Sequence, residues 1–302
     1  MSNRSSIRQF QSLQKNFLRD STIATLMVID ASVIDIREIT ETSELRAVED
    51  LQKEVWGCNE REILPSLLLI PLLEIGGVLL GAFAGLEMVG FVLGLPGLEH
   101  GRPILHSDML AVKAEYRSHG LAYKLKLRQR ERALAKGIDR ITWTFDPLQS
   151  HNAYLNFAKL GVKADRYKIN YYGETSSFLH ITGTDRLWVT WELKTDRVRQ
   201  RLEHGLNQQE LLRLAEVPTL VRVGKNNTPV CMEYPGAESS IIEIPGEIDS
   251  LVETDQALAC RWRESTRVAF ISAIDAGLVV EEFSRVEREG RSVGIYLLNR
   301  ES

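Results

Sequence analysis

The chain has 302 residues, of which 44% are hydrophobic, 26% charged and 7% aromatic. This composition is typical of a globular protein and excludes a wholly disordered, collagen-like or coiled-coil chain. The net charge of −4 gives no overall electrostatic reason to bind nucleic acid or an anionic membrane. Three cysteines, Cys58, Cys231 and Cys260, lie far apart and form no C-x-x-C pair, which argues against a disulfide framework or a zinc site. We therefore expect a cytoplasmic protein without a structural metal.

We expect residues 1–33 to form a disordered N-terminal extension. Its first 19 residues contain four basic side chains and no acidic one, so a transit peptide is an alternative interpretation. Because Met27 directly precedes the first segment with a strand pattern, residues 1–26 could also be a dispensable or misassigned start.

The most apolar stretch runs from Pro65 to Pro96. It is interrupted by Glu74 and Glu87 and by six glycines, so we do not interpret it as a membrane-spanning helix. We interpret this stretch as part of a buried core.

The predicted elements up to residue 193 alternate strands and helices. Apolar and polar side chains alternate in V-I-D-I-R-E-I, which predicts a half-buried strand over 33–39. Further along the chain, the patterns predict helices 42–55 and 66–75, strands 78–84, 88–95 and 106–112, helix 121–136, strand 141–145, helix 152–160, and strands 168–172 and 187–193. This order predicts an α/β domain over residues 34–194, with a mixed, mostly antiparallel twisted sheet and helices on both faces.

After Trp191 the composition changes, and we predict a smaller α+β domain over residues 195–302. Its predicted elements are a charged helix over 197–215 broken at Gly205, strands 219–223, 229–234 and 240–244, helix 255–276, and a final hairpin of 279–283 with 293–298. We assign this domain to substrate selection or to a homodimer contact rather than to the chemistry.

The segment that points to a function is L-H-S-D-M-L-A-V-K-A-E-Y-R-S-H-G-L-A, residues 105–122. A strand passes there through a short turn into the N-terminus of a long helix. In the pattern Arg117-x-x-Gly120-x-Ala122, free backbone amides and the positive end of the helix dipole would form a cradle for a diphosphate. Residues 113–140 hold nine Lys or Arg against three acids, a local balance of +6 that would attract a polyanion.

These residues resemble the GNAT superfamily of acyl-CoA-dependent N-acyltransferases, whose motif Q/R-x-x-G-x-G/A stands here as Arg117, Gly120 and Ala122. The resemblance covers about residues 34–193 and includes the helix end A-K-L-G-V at 158–162. The chain also resembles a little-characterised subgroup of that superfamily, in the segments L-H-S-D-M, L-K-L-R-Q-R-E, T-W-T-F-D-P-L-Q and T-D-R-L. The resemblance implies acetyl-CoA or another acyl-CoA as co-substrate and no metal.

The resemblance also implies which residues would hold the coenzyme. The diphosphate would lie on the amides of Arg117, Ser118, His119, Gly120, Leu121 and Ala122. The pantetheine arm would pair like an added strand with the backbone of Leu110, Ala111 and Val112. Asn152 and Lys159 would touch the pantetheine and the 3′-phosphate, although a helix N-cap and a surface lysine are equally good interpretations of these two.

The expected chemistry needs an acid and a base. Family members often carry a tyrosine that protonates the departing thiolate, where this chain has Phe157. Tyr154 lies one turn earlier on about the same face and could substitute, or could be a packing residue. Our candidate bases are Asp146, then His106, then Asp108, all on the two strands that would flank the thioester. Alternatively, Asp146 is a turn residue before Pro147 that bonds its own backbone, and His106 is a core or surface group.

The sequence thus predicts an N-acyltransferase that moves an acetyl or succinyl group to a primary amine of a small molecule, with an amino acid as the favoured acceptor. The attack would be direct, within a ternary complex. Trp143, Tyr167, Tyr171 and Tyr172 could line an acceptor pocket or belong to the core. Arg166 or Arg186 could bind a carboxylate of the acceptor or form ordinary salt bridges. The alternative is a non-enzymatic acyl-CoA sensor that binds the coenzyme without turnover.

Overall fold

Twelve strands form a single sheet at the centre of the described structure. The computed structural model describes residues 34–173, 177, 181–205 and 217–300, so the predicted extension 1–33 and part of the helix predicted over 197–215 lie outside the described residues. The strands are β1 (Ile34–Glu38), β2 (Val78–Ala84), β3 (Glu87–Glu99), β4 (Arg102–Val112), β5 (Arg140–Phe145), β6 (Lys163–Lys168), β7 (Arg186–Glu192), β8 (Thr219–Val223), β9 (Pro229–Cys231), β10 (Ser239–Pro245), β11 (Leu278–Arg288) and β12 (Arg291–Arg300).

The sheet has the order β1-β2-β3-β4-β5-β7-β6-β11-β12-β10-β8-β9. Two neighbouring pairs, β4 with β5 and β8 with β10, are parallel, and the others are antiparallel. The mixed, mostly antiparallel sheet predicted from the sequence is therefore confirmed.

Seven helices belong to the described part of the chain. They are α1 (Thr42–Trp56), α2 (Ser66–Glu74), α3 (Leu121–Ala135), α4 (an α-helical turn Ser150–Ala153 continued by the π-helical Tyr154–Leu160), α5 (Asp196–His204), α6 (Ile248–Thr254) and α7 (Gln256–Asp275). Leu, Lys, Arg and Ala dominate α3, which agrees with their high helix propensity. None of these helices combines the length and the apolar composition of a membrane span.

The helices lie on both faces of the sheet, as the sequence predicted. Because successive side chains of a strand point to opposite faces, β2 feeds two separate cores. Leu79 packs in one core with Leu51 of α1, and Leu80 packs in the other with Leu125 of α3. We call these the α1 face and the α3 face of the sheet.

The C-terminal residues continue the same sheet. Val280 of β11 pairs with Ala164 of β6, so β8 to β12 extend the sheet formed by β1 to β7. The described residues from Ile34 onward form one compact unit. The division near residue 195 stays a prediction.

The structure corrects two predicted elements. The predicted loop between strands 88–95 and 106–112 is a continuation of both strands, joined by a tight turn at His100 and Gly101. The strand predicted over 168–172 is wrong, because β6 ends at Lys168 and the chain turns at Asn170, whose φ of 43° is incompatible with an extended strand.

Candidate functional site

The sheet opens between β4 and β5. These parallel strands pair only at Leu105 with Ile141 and at His106 with Thr142. Beyond that point no described strand pairs with β4 on its β5 side, and we call the opening from Ser107 onward the fork. Unpaired strand edges offer N–H and C=O groups to any extended chain that adds to them.

A β-bulge lies at the base of the fork. In the register between β3 and β4, Leu93 pairs with Met109 and Gly94 pairs with Ser107, so Asp108 is the additional residue. A bulge redirects the side chains next to it and increases the local twist. The two strands of the fork therefore diverge where Ser107 and Asp108 stand.

The turn after β4 is the segment in which we predict a cradle for a diphosphate. Ser118 and Gly120 have left-handed φ values of 64° and 73°, and a Cβ added to Gly120 would meet nothing within 4 Å. Among the described residues, none accepts a hydrogen bond from the backbone N–H groups of 118–123, whereas the N–H of Arg117 donates to the carbonyl of Ala114 at 3.2 Å. Adjacent free amides at a helix N-terminus can bind an anion.

The positive charge near the cradle is smaller than the sequence suggested. Several of the basic side chains of residues 113–140 pair with acids outside this segment; these are Lys113, Arg132 and Arg140. Lys124 is exposed on the first turn of α3 and has no acidic partner within the described residues. Lys159 lies on α4, with Nζ 5.9 Å from the ring centroid of Tyr123 on α3, so α3 and α4 both present a lysine near the cradle.

His106 lies on the α1 face at the base of the fork. Its Nδ1 is 2.9 Å from the Thr142 hydroxyl, and its ring lies 4.9 Å from the ring of Trp188. Burial, with a smaller contribution from the charge of Lys126, lowers the pKa of His106 to about 4. The imidazole is therefore neutral at physiological pH.

Asp108 stands at the same fork. Burial raises the pKa of this carboxyl group, which makes its ionised form a stronger base than an exposed aspartate. Its charge acts on Tyr172, whose hydroxyl is 3.2 Å from the hydroxyl of Thr144. The α1 face of the fork thus combines two titratable groups with hydroxyl and aromatic side chains.

The predicted aromatic pocket divides between the two faces. Tyr171 and Tyr172 contact each other beside Trp188, on the α1 face. Trp143 belongs to the core of the α3 face, and Tyr167 packs against that core, stacked on Phe270 of α7.

Asp146, the first-ranked candidate base, lies in a different environment from His106 and Asp108. Both of its carboxylate oxygens accept hydrogen bonds from the guanidinium of Arg263 on α7, at 2.7 and 2.5 Å, and one of them also accepts from the N–H of Leu148 at 2.9 Å. The Arg263 side chain is 3% exposed. This pair joins the end of β5 to the C-terminal half of the chain. Its role as a base stays a prediction.

The residues near the expected general acid are apolar or exposed. Phe157 is fully buried between Phe145 and Tyr296, and so contributes only packing. Tyr154 is 36% exposed, and Asn152 is exposed without a hydrogen bond from its side chain to a described residue. The proposed contacts of Asn152, Tyr154 and Lys159 with a coenzyme stay predictions.

Sequence reasoning missed two buried cations. Arg263 lies on a helix that was assigned away from the chemistry, and Lys126 was counted only in the local positive charge of residues 113–140. Lys126 is 2% exposed and donates to Ser107 at 2.7 Å on the α3 face of the fork. The sequence around L-K-L at 125–127 did indicate that Lys126 is buried. The apolar residues at 121, 125 and 133 form the buried face of α3, and positions 126 and 129 lie next to that face.

No group of three or more His, Cys, Asp or Glu side chains within the described ranges is arranged to hold a metal ion.

Comparison with known proteins identifies no related sequence. No protein-family model matches the chain, and no curated protein matches it. Similar folds occur among solved structures of acetyltransferases. The ribosomal-protein-S18-alanine N-acetyltransferase from Escherichia coli has 14% identity and a TM-score of 0.42, covering 54% of this chain and 95% of its own.

Two further structures are similar over the same share of the chain. A GNAT family acetyltransferase from Elizabethkingia anophelis, with acetyl-CoA bound, has 18% identity and a TM-score of 0.41, covering 53% of this chain and 98% of its own. An aminoglycoside 6′-acetyltransferase type Ii has 18% identity and a TM-score of 0.42, with the same coverage. At these identities and TM-scores the similarities assign no activity, substrate or residue role to this chain.

Proposed function

We propose that the protein is an N-acyltransferase that moves an acetyl or other acyl group from acyl-CoA to a primary amine of a small molecule. The observation that carries this proposal is the fork: β4 loses its β5 partner after His106, and the same strand leads into a turn whose amides from Ser118 to Tyr123 are free. An open strand edge beside an anion cradle suits a ligand with a diphosphate at one end and an extended amide-containing arm at the other.

The coenzyme would bind along β4. Its diphosphate would accept hydrogen bonds from the cradle. Its arm would pair with the edge of β4 at residues 110–112, where the Nε–H of Arg117, which donates to the carbonyl of Val112 at 3.1 Å, would have to give way. This places the thioester near Ser107, where the strands begin to separate. A backbone N–H of β4 would then stabilise the negative oxygen that develops when the amine attacks.

The amine would approach from the α1 face. We assign Asp108 as the base that takes its proton, because burial raises the pKa of Asp108 and so strengthens its carboxylate as a proton acceptor. Neutral His106 would accept a hydrogen bond from the incoming amine and orient it. Asp146 is less suitable, because Arg263 already binds both of its oxygens.

An amino acid is the acceptor class that we favour. Deprotonating an α-amino group with a pKa near 8 costs about 1.4 kcal/mol at pH 7, whereas a lysine-like amine costs about 4.6 kcal/mol. Arg186 stands next to this face, with its guanidinium 5.1 Å from the Tyr172 ring, and could bind the carboxylate of such an acceptor.

The test is an assay of free thiol released from acetyl-CoA and succinyl-CoA in the presence of a panel of amines and amino acids, with product masses determined. We expect acyl-CoA binding by calorimetry and thiol release that depends on one class of amine. Absence of coenzyme binding would contradict the whole proposal.

A non-enzymatic acyl-CoA sensor is the second candidate. It is favoured by the burial of Phe157, which cannot donate a proton, and by the ion pair that occupies Asp146. The same assay separates the two candidates, because a sensor would bind acyl-CoA and release no thiol with any amine.

A further inference from the structure

Lys126 is a buried lysine without an acidic partner. Its ammonium donates to the hydroxyl of Ser107 at 2.7 Å and lies 3.6 Å from the ring centroid of Trp143. No carboxylate of the described residues is within 4 Å of it. Burying an ammonium without a counter-ion lowers stability, so packing alone would favour leucine or methionine at this position.

Gln129, close to one turn further along α3, is also buried and polar. Its side chain is fully buried, and neither amide atom has a hydrogen-bond partner among the described residues. A Cβ added to Gly94 would be 3.0 Å from its Nε2, and Gly94 pairs with Ser107 in the sheet. Three polar side chains are therefore gathered on the α3 face beside the base of the fork.

The position of this cluster relates it to the reacting bond. Ser107 is the first residue of β4 beyond its last pair with β5, and it faces α3, whereas His106 faces the α1 side. A thioester at the fork would therefore have Asp108 and His106 on one side of the sheet and Ser107 on the other. Phe157, in the core of the α3 face, offers no proton there.

We propose that Ser107 and Lys126 form a proton relay that protonates the CoA thiolate as it leaves. This inference rests on the proposed function. The amine nitrogen forms a bond to the thioester carbon and gives a proton to Asp108. The C–S bond then breaks with its electron pair on sulfur, the Ser107 hydroxyl gives its proton to sulfur, and Ser107 takes a proton from the Lys126 ammonium.

The surroundings of Lys126 suit it to this task. A thiol has a pKa of about 8.5 and an ordinary lysine about 10.4, so an ordinary ammonium would hold its proton against a thiolate. Burial lowers the pKa of Lys126 well below its usual range, which makes the ammonium a better proton donor. The groups that face it are Ser107 from β4, Trp143 from β5 and Gln129 on α3, and the titratable group that senses its charge is His106.

The test compares Lys126→Met and Ser107→Ala with the wild type, and uses Lys136→Met, an exposed lysine at the end of the same helix, as the matched control. We measure kcat for thiol release against pH at saturating acyl-CoA, the Kd for CoA by calorimetry, and the melting temperature. Because the relay needs a protonated lysine, the wild-type kcat should fall as pH rises, at a lower pH than an ordinary lysine titrates.

For Lys126→Met we expect kcat to fall roughly 10²-fold and the alkaline decline to disappear, with an unchanged Kd and an unchanged or higher melting temperature. Ser107→Ala removes only a hydroxyl group and should also lower kcat, so the test remains valid if the lysine variant does not fold. Lys136→Met should behave as wild type.

A wild-type kcat and pH profile in both variants would overturn the relay while leaving the proposed function intact. A Kd for CoA raised in proportion to the loss of rate would also overturn it, because the lysine would then act in binding. A wild type that binds CoA and releases no thiol would overturn the proposed function, and the relay with it.

Discussion

Two turns in this protein follow adjacent parallel strands at the same end of the sheet, and they differ in whether the residues of the turn have hydrogen-bond partners. The turn after β4 leads into α3 and leaves the amides of 118–123 without acceptors among the described residues. The turn after β5 leads into α4 and is closed by the C-terminal half. There Arg263 binds both oxygens of Asp146, and the hydroxyl of Tyr296 donates to the carbonyl of Pro147 at 2.7 Å.

The same strand-turn-helix unit therefore serves two purposes. Where the backbone groups stay free, the turn can bind a ligand. Where buried side chains from elsewhere bond the turn, it becomes a docking point that holds the two halves of the chain together. A local sequence pattern describes both turns equally well, and the long-range partners decide which purpose each one serves.

The closed turn is tested by Arg263→Leu. Removing one member of this buried ion pair leaves the carboxylate of Asp146 without its charged partner, so the free energy of unfolding should fall by about 3–5 kcal/mol. Denaturant unfolding measures this loss. The control is Arg261→Leu on the same helix, which is exposed and should change stability by no more than about 0.5 kcal/mol. A loss below about 1 kcal/mol for Arg263→Leu would contradict the docking role.

Asp146→Asn, measured alongside Arg263→Leu, distinguishes a structural role of Asp146 in holding the C-terminal half from a role as the catalytic base. If Asp146 only holds the C-terminal half, the variant should lose stability and keep the turnover of each folded molecule. A large loss of turnover without loss of stability would restore Asp146 as the base.

The open turn is tested by Gly120→Glu. A carboxylate placed in the cradle should repel a diphosphate and weaken CoA binding about 10²-fold in calorimetry, which corresponds to about 2.7 kcal/mol. Gly137→Glu is the matched control, because Gly137 also has a left-handed φ, of 76°, and open space around it, and it lies beyond the other end of α3. It reproduces the backbone strain without the repulsion. Equal CoA affinities in the two variants would discard the cradle.

The fork between the two turns is tested by pH. The folded protein holds His106 neutral down to about pH 4, whereas in the unfolded chain it binds a proton near pH 6.5. Between these values the unfolded state binds more protons, so the free energy of unfolding should decrease as pH falls and should not depend on this group above about pH 6.5.

We expect His106 to account for a loss of about 2 kcal/mol between pH 7 and pH 4.5. Urea unfolding of the wild type and of His106→Gln at both pH values measures it, and the variant should lose less stability than the wild type. Equal losses would mean that His106 is not held neutral by the fold.

Much of the fold could be predicted from sequence because the order of its elements depends on local periodicity. The strands up to β5, helix α3 and the turn with Gly120 lie close to where the patterns put them. The strand predicted over 168–172 failed because Tyr171 and Tyr172 have high strand propensity, while Asn170 turns the chain. Propensity does not report which residue takes a left-handed conformation.

The site was less predictable because its decisive contacts are long-range. Asp146 and Arg263 are 117 residues apart, and their pairing depends on α7 packing against the end of β5. Lys126 reads as one more charge on a charged helix, and its burial over the ring of Trp143 depends on how α3 packs against β5. The charge pattern of a sequence gives the sign of each side chain's charge but does not give the residue with which that side chain pairs.

The fork also gives the sheet a third border, meaning an unpaired strand edge, and this one lies inside the sheet rather than at either end of it. The outer borders, β1 and β9, have five and three residues, whereas the open side of β4 runs over residues 107–112. Long free borders of sheets recruit other polypeptides and promote aggregation. The gap beside this border narrows to the last β4–β5 pair, at His106 and Thr142, so a thin unbranched chain fits into it more easily than a polypeptide with its side chains. The molecule thus keeps the open side of β4 where bulky partners are excluded.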